Sequence, residues 1–151
     1  MDAAGIYARY FDSLDCYVQL GVAGDRVISV SFPAEVPGDA DDDHELFDRI
    51  ADYLAGGEDH FDDVTVGLTV PTDQRAVLEA VRNVPHGERI SVERLLRKVP
   101  DADPDSEEDR QLVRDALAAN PVPLLVPDHR IRNAPSGAPD RVARRLREIE
   151  S

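Results

Sequence analysis

Apolar and polar residues alternate along residues 16–22 and again along residues 26–32, and the two runs are separated by Gly24-Asp25. A period of two puts every second side chain on one face of a strand, and a Gly-Asp step between such runs is a hairpin signal, so residues 5–32 read as a small antiparallel sheet. From Glu45 the period changes, because Leu46, Phe47, Ile50, Ala51 and Leu54 recur at helical spacing until Gly56-Gly57 ends the run. Residues 33–43 read as an acidic loop bearing proline and glycine. Residues 64–70 alternate again and are expected to form a further strand.

The texture shifts at Pro71-Thr72. Thr72 is the expected N-cap of a helix carrying Ala76, Val77, Ala80, Val81 and Val84 and running toward Pro85. Ser91 is expected to cap a short helix over 92–97, with Leu95 and Leu96 facing inward. A polar loop over 100–105 follows, and Ser106 caps a second helix that Asn120-Pro121 terminates, since the residue before a proline is driven out of the helical region. Two helices joined by a turn read as a helix-turn-helix. The pattern thus divides the chain near residue 71 into an N-terminal α/β domain (1–70) and a mostly helical C-terminal domain (71–151).

Charge sharpens this division. Of 151 residues 31 are acidic and 17 basic, Asp outnumbers Glu 21 to 10, and Lys98 is the only lysine. Many short carboxylates with almost no lysine point to a halophilic protein kept soluble by a hydrated acidic surface. Residues 1–70 carry three basic and 16 acidic residues, a net of −13, whereas residues 71–151 carry 14 and 15, a net of −1. A polyanionic partner is therefore expected to meet the second half. No repeat, no apolar run of the roughly 20 residues that span a bilayer and no leader pattern is visible, so a cytoplasmic protein is expected. Cys16, the single cysteine, falls in a strand pattern without a neighbouring base or metal ligand and reads as a buried structural thiol.

The most specific signal is Asn120-Pro121-Val122-Pro123-Leu124-Leu125-Val126-Pro127-Asp128-His129-Arg130-Ile131. It resembles the active-site signature of the O6-alkylguanine-DNA alkyltransferases, N-P-x-P, three aliphatics, then P-C-H-R-V, at every position but one. That position is the alkyl-accepting cysteine, where this chain has Asp128. The resemblance extends to residues 61–71, to the G-E-x-x-S turn at Gly87-Glu88-Arg89-Ile90-Ser91, and to a last helix over 142–150. It implies an α+β fold: a small N-terminal antiparallel sheet with a helix (ribonuclease H-like), then a winged-helix-like DNA-binding domain.

In that family a flipped-out base is held in a pocket while a thiolate, activated through water by a histidine that a glutamate orients, takes the alkyl group. The resemblance places Asp128 at the acceptor position, with His129 and Glu150 as the histidine and glutamate and Asn120 as the structural hinge. It implies no cofactor and no metal. Val92 stands where the family has the tyrosine that contacts the nucleotide, Gln111 stands where it has the intercalating arginine, and the tyrosine-glycine loop that should follow Ser136-Gly137 is missing. Arg110, Arg114, Arg130 and Arg132, on or beside the helix-turn-helix, are the expected phosphate contacts. The function these residues imply is that of a monomeric DNA-repair homologue that binds double-stranded DNA, with O6-alkylguanine as the expected lesion, and hands it to repair proteins without alkyl transfer. Two alternatives follow from the same residues: a degenerate scaffold with a non-DNA partner, and a transferase with Asp128 as an unorthodox acceptor.

Overall fold

The computed structural model describes residues 5–36 and 41–150. Strands β1 (Gly5–Phe11), β2 (Cys16–Ala23) and β3 (Arg26–Ser31) form an antiparallel meander in the order β1-β2-β3. The predicted alternation is what folds it. Cys16, Val18, Leu20 and Val22 all point into the core, and Gly24 makes the hairpin turn with φ 65°, a left-handed conformation cheap only for glycine. Burial pushes the Cys16 thiol up from its ordinary value, which leaves it a packing residue. Residues 37–40 of the expected acidic loop lie outside the described residues.

Helix α1 (Glu45–Leu54) buries Leu46, Phe47, Ile50, Tyr53 and Leu54. Ala51, assigned to this face from spacing, is instead exposed, and Tyr53 takes an inward position. His44 caps the helix, its Nδ1 accepting from the Leu46 amide at 3.1 Å.

The strand expected over 64–70 does not form. Val66 makes a single parallel bridge to Val27, through the Val27 amide to the Thr65 carbonyl and the Gly67 amide to the Val27 carbonyl. Other carbonyls of the stretch are claimed by arginines rather than by a neighbouring strand: the Arg82 Nη2 donates to Val64 at 2.6 Å, as it does to Phe61 just upstream, and the Arg75 Nη2 donates to Leu68 at 3.0 Å. An alternating sequence with its carbonyls occupied in this way stays irregular.

Helices α2 (Thr72–Val81), α3 (Val92–Leu96), α4 (Glu107–Ala118) and α5 (Asp140–Glu150) build the second half. The α2 cap is Pro71 without a side-chain bond, so Thr72 is the first helical residue and not the cap expected of it. Ser91 and Ser106 do cap α3 and α4, accepting from Arg94 and Asp109. Both α2 and α3 pack on α4, and α5 packs on a 3-10 turn at Asp128–Arg130. One apolar core runs from Phe11 to Leu146. The halves are also stitched by the Val30 amide, which donates to the Pro121 carbonyl at 2.8 Å. No helix among the described residues is long and apolar enough to cross a membrane.

Candidate functional site

The chain leaves α4 at Asn120, whose buried amide spends every polar atom on backbone or on one carboxylate. Its Oδ1 accepts from the Val122 amide at 3.0 Å, and its Nδ2 donates to the Val126 carbonyl at 3.1 Å and to Asp128 Oδ2 at 2.9 Å. That folds residues 120–126 into a tight arch in which Leu124 has φ 81°, an outlier for a branched side chain that the packed surroundings hold in place. Downstream, the Ile90 amide donates to the Arg130 carbonyl and the Arg132 amide to the Ile90 carbonyl. The loop bearing Asp128 and His129 is thus pinned at both ends.

Asp128 is 2% exposed, and both carboxyl oxygens are occupied. Ser136 Oγ donates to Oδ1 at 2.6 Å, and the Gly137 amide and Asn120 Nδ2 donate to Oδ2 at 2.7 and 2.9 Å. Burial pushes this carboxyl above the ordinary range, and the three donors oppose the shift. Glycine is required at 137: a Cβ there would lie 2.4 Å from the Asn120 carbonyl oxygen, so a side chain would push the amide off Asp128. Ser136 was assigned no role from sequence, yet its hydroxyl is the shortest of the three contacts.

A second buried carboxylate sits at the end of α5. Glu150 Oε2 meets His129 Nε2 at 2.7 Å and Arg130 Nη2 at 2.9 Å, and Oε1 accepts from Arg130 Nε at 2.9 Å and from the Gly87 amide at 3.2 Å. The Tyr53 hydroxyl also donates to Oε2. Burial alone would raise this carboxyl, but the hydrogen bonds from His129 and Arg130 outweigh it and hold Glu150 far below the ordinary value. Burial and the Glu150 charge together push the Tyr53 phenol up. The structure therefore brings His129 and Glu150 into contact. His129 Nδ1 is buried without a hydrogen-bond partner among the described residues.

The expected phosphate contacts are distributed differently from the sequence reading. Arg130 is 3% exposed, bidentate on Glu150 and donating Nη1 to the Val84 carbonyl at 2.8 Å, so no phosphate can reach it. Val92 is buried in the core. Arg110 turns back along α4, with Nε on the Pro104 carbonyl at 2.8 Å and its terminal nitrogens 3.5 Å from Glu93 and Glu107. Gln111 is exposed and donates to Asp115 at 2.9 Å. Arg114, half-buried on the same helix, makes no hydrogen bond or ion pair with the described residues. Among the described residues no group of three or more His, Cys, Asp or Glu side chains is placed to hold a metal ion.

Comparison with known proteins bears on these arrangements. Residues 72–149 match the family model described as 6-O-methylguanine DNA methyltransferase, DNA binding domain. A methylated-DNA-protein-cysteine methyltransferase of Methanopyrus kandleri is 32% identical over 88 residues, which cover 58% of this chain and 62% of that protein, so the match spans less than two thirds of the relative's length. In fold, the chain is similar to the O6-methylguanine-DNA methyltransferase of Pyrococcus kodakaraensis, with TM-score 0.71 at 20% identity over 97% of this chain and 99% of that one. It is likewise similar to the Mycobacterium tuberculosis OGT solved in complex with DNA, with TM-score 0.70 at 20% identity over 96% and 91%.

Proposed function

Because this chain belongs to the 6-O-methylguanine DNA methyltransferase family, we propose that it binds duplex DNA in DNA repair, with O6-alkylguanine as the lesion, and does not accept the alkyl group. The observation that carries the second clause is the saturation of Asp128. Transfer to this residue would require a carboxylate oxygen to form a bond to the alkyl carbon while the bond from that carbon to O6 of the base breaks and its electron pair stays on O6. Both oxygens already accept hydrogen bonds from Asn120, Ser136 and Gly137, and the carboxyl is 2% exposed. An electrophile would have to displace those donors to come within the roughly 3–3.5 Å of a near-attack geometry.

In this reading the site keeps its frame and loses its reaction. His129 and Glu150 stay in contact, Asn120 still ties the arch, and the division near residue 71 leaves DNA to residues 71–151. The chain acts as a monomer and passes the lesion to other repair proteins. A scaffold with a non-DNA partner is the second reading, favoured by the commitment of Arg110 to Pro104, Glu93 and Glu107 and by Glu107, Glu108 and Asp109 in the first turn of α4. Incubation in high salt with duplexes carrying or lacking a central O6-methylguanine separates the two. Binding that favours the lesion, with no mass increment on the protein, is expected. A stable methyl adduct at Asp128 would overturn the claim of no transfer, and absence of any duplex binding would leave the scaffold.

A further inference from the structure

Among the described residues, clefts lined by three arginines each differ in what else lines them. One sets Arg26, Arg75 and Arg82 beside Asp62, Asp63 and Glu79. Another sets Arg141, Arg144 and Arg145 beside Asp15 and Glu148. The third, of about 470 Å³, is lined by Arg89, Ile131, Arg132, Asn133, Ala134 and Arg147, without a carboxylate. In a chain of net charge −14, a cleft with three guanidinium groups and no acid to meet them is the place where an anion gains most.

The charges there are also unspent. The side chains of Arg89 and Arg132 make no hydrogen bond or ion pair with the described residues, and Arg147 commits only Nε, to the His129 carbonyl at 3.0 Å. Glu150 lines a small recess that shares Arg89 and Arg147, but its charge is already met by Arg130. Arg89 and Arg132 stand on two segments tied through Ile90 by hydrogen bonds of 2.9 and 2.8 Å, so their backbones are fixed relative to each other. Guanidinium forks match the paired oxygens of a phosphodiester, and here two of them are exposed and, among the described residues, unpaired, on backbone segments fixed side by side.

We infer that the phosphate backbone of the bound duplex is gripped by the Arg89, Arg132 and Arg147 cleft and not by α4. The inference rests on the DNA-binding reading above and adds where the backbone lies. The cleft takes its lining from residues 131–134, which follow the loop that carries Asp128 and His129, whereas on α4 Arg110 is held by Glu93, Glu107 and Pro104 and leaves Arg114 alone to meet a phosphate.

The test is fluorescence anisotropy of the full chain against a labelled duplex of about two helical turns, across a salt series. Arg89→Ala together with Arg132→Ala should weaken binding at least tenfold at low salt. It should also flatten the dependence of log Kd on log salt by about 1.8, roughly 0.9 for each of two lost phosphate contacts. Arg89→Lys with Arg132→Lys should keep most of that slope, because charge and not a structural role sets it. Arg110→Ala with Arg114→Ala should cost less than the cleft pair. If the cleft pair binds like the parent, or the α4 pair costs more, the cleft assignment falls while DNA binding stands. If the parent binds no duplex at any salt, the DNA-binding reading falls and this inference with it. If polyglutamate of equal charge competes as well as unlabelled duplex, the cleft takes anions in general and the phosphodiester assignment is wrong.

Discussion

Asp128 and Glu150 are buried carboxylates at the two ends of the structure around His129, and their surroundings act on them in opposite directions. Asp128 has only neutral donors, from Asn120, Ser136 and Gly137, and burial raises it. Glu150 has the Arg130 guanidinium and His129, and despite burial it is held low. The first region is a cradle that holds a loop closed by hydrogen bonds. The second is an ion cluster whose members would each be stranded without the others. Two kinds of carboxylate site thus flank His129, one inside the 120–131 signature and one on α5, and only the second depends on charge.

Glu150→Gln should have the largest effect. It keeps the shape but leaves the Arg130 guanidinium, 3% exposed, without a counter-charge. Removing one partner of a buried pair costs about 3–5 kcal/mol, so denaturant unfolding in high salt should show a loss of that size. The sign of the pH dependence follows from the depressed Glu150 value: its stabilisation is fully present above the ordinary glutamate value of 4.5 and is lost as acid takes the pH down through the folded value. The variant should lack that component of acid unfolding. A loss below about 1 kcal/mol would mean that the cluster relaxes to water and that the two regions are alike.

Asp128→Ala should cost less, about 2–3 kcal/mol, because it strands donors rather than a charge. The Gly137 amide, the Asn120 amide and the Ser136 hydroxyl would each need a new acceptor, and a buried polar group left unmade costs about 1–3 kcal/mol, part of which the exposed Gly137 and the half-buried Ser136 can recover by turning to water. Amide hydrogen exchange at Gly137 should rise with it. Unchanged protection there would show that the loop does not depend on Asp128.

These two regions were not equally legible. The motif over 120–131 marked Asn120, Asp128 and His129, and the resemblance supplied Glu150, because signature residues sit at fixed places in a fold. The inward turn of Arg130 was hidden, since an arginine after a histidine reads as surface charge and its partners come from far away, Glu150 on α5 and the Val84 carbonyl beyond α2. Tyr53 was missed because apolar spacing was counted and a phenol was not. The α1 stripe, the three-stranded meander and the serine caps of α3 and α4 were readable because they depend on neighbours a few residues away. The stretch over 64–70 misled for the opposite reason: its alternation was local, but the arginines that occupy its carbonyls come from α2 and its C-cap.

Asp128→Asn makes the smallest change and isolates charge in the cradle. The asparagine carbonyl oxygen can accept from both the Gly137 amide and Asn120, while its amide donates to Ser136 Oγ, since a hydroxyl rotates to accept as readily as it donates. Ser136 would then accept from both the new amide and the Ala138 amide, which it already meets at 3.0 Å. The Gly137, Asn120 and Ala138 donors stay paired, while the Ser136 hydroxyl hydrogen and the second amide hydrogen must find new acceptors, and the cost at neutral pH should be about 1 kcal/mol. The pH dependence carries the information. A carboxyl raised in the folded state gives stability that is fully present below the ordinary aspartate value of 3.8 and is lost as the pH rises through the folded value, the reverse of Glu150. The parent should therefore lose this contribution on going from acid toward neutrality, and Asp128→Asn should not. If the variant instead loses several kcal/mol at neutral pH, the cradle needs an ionised carboxylate, Asp128 belongs with Glu150 as a charge-dependent site, and the contrast between the two regions disappears.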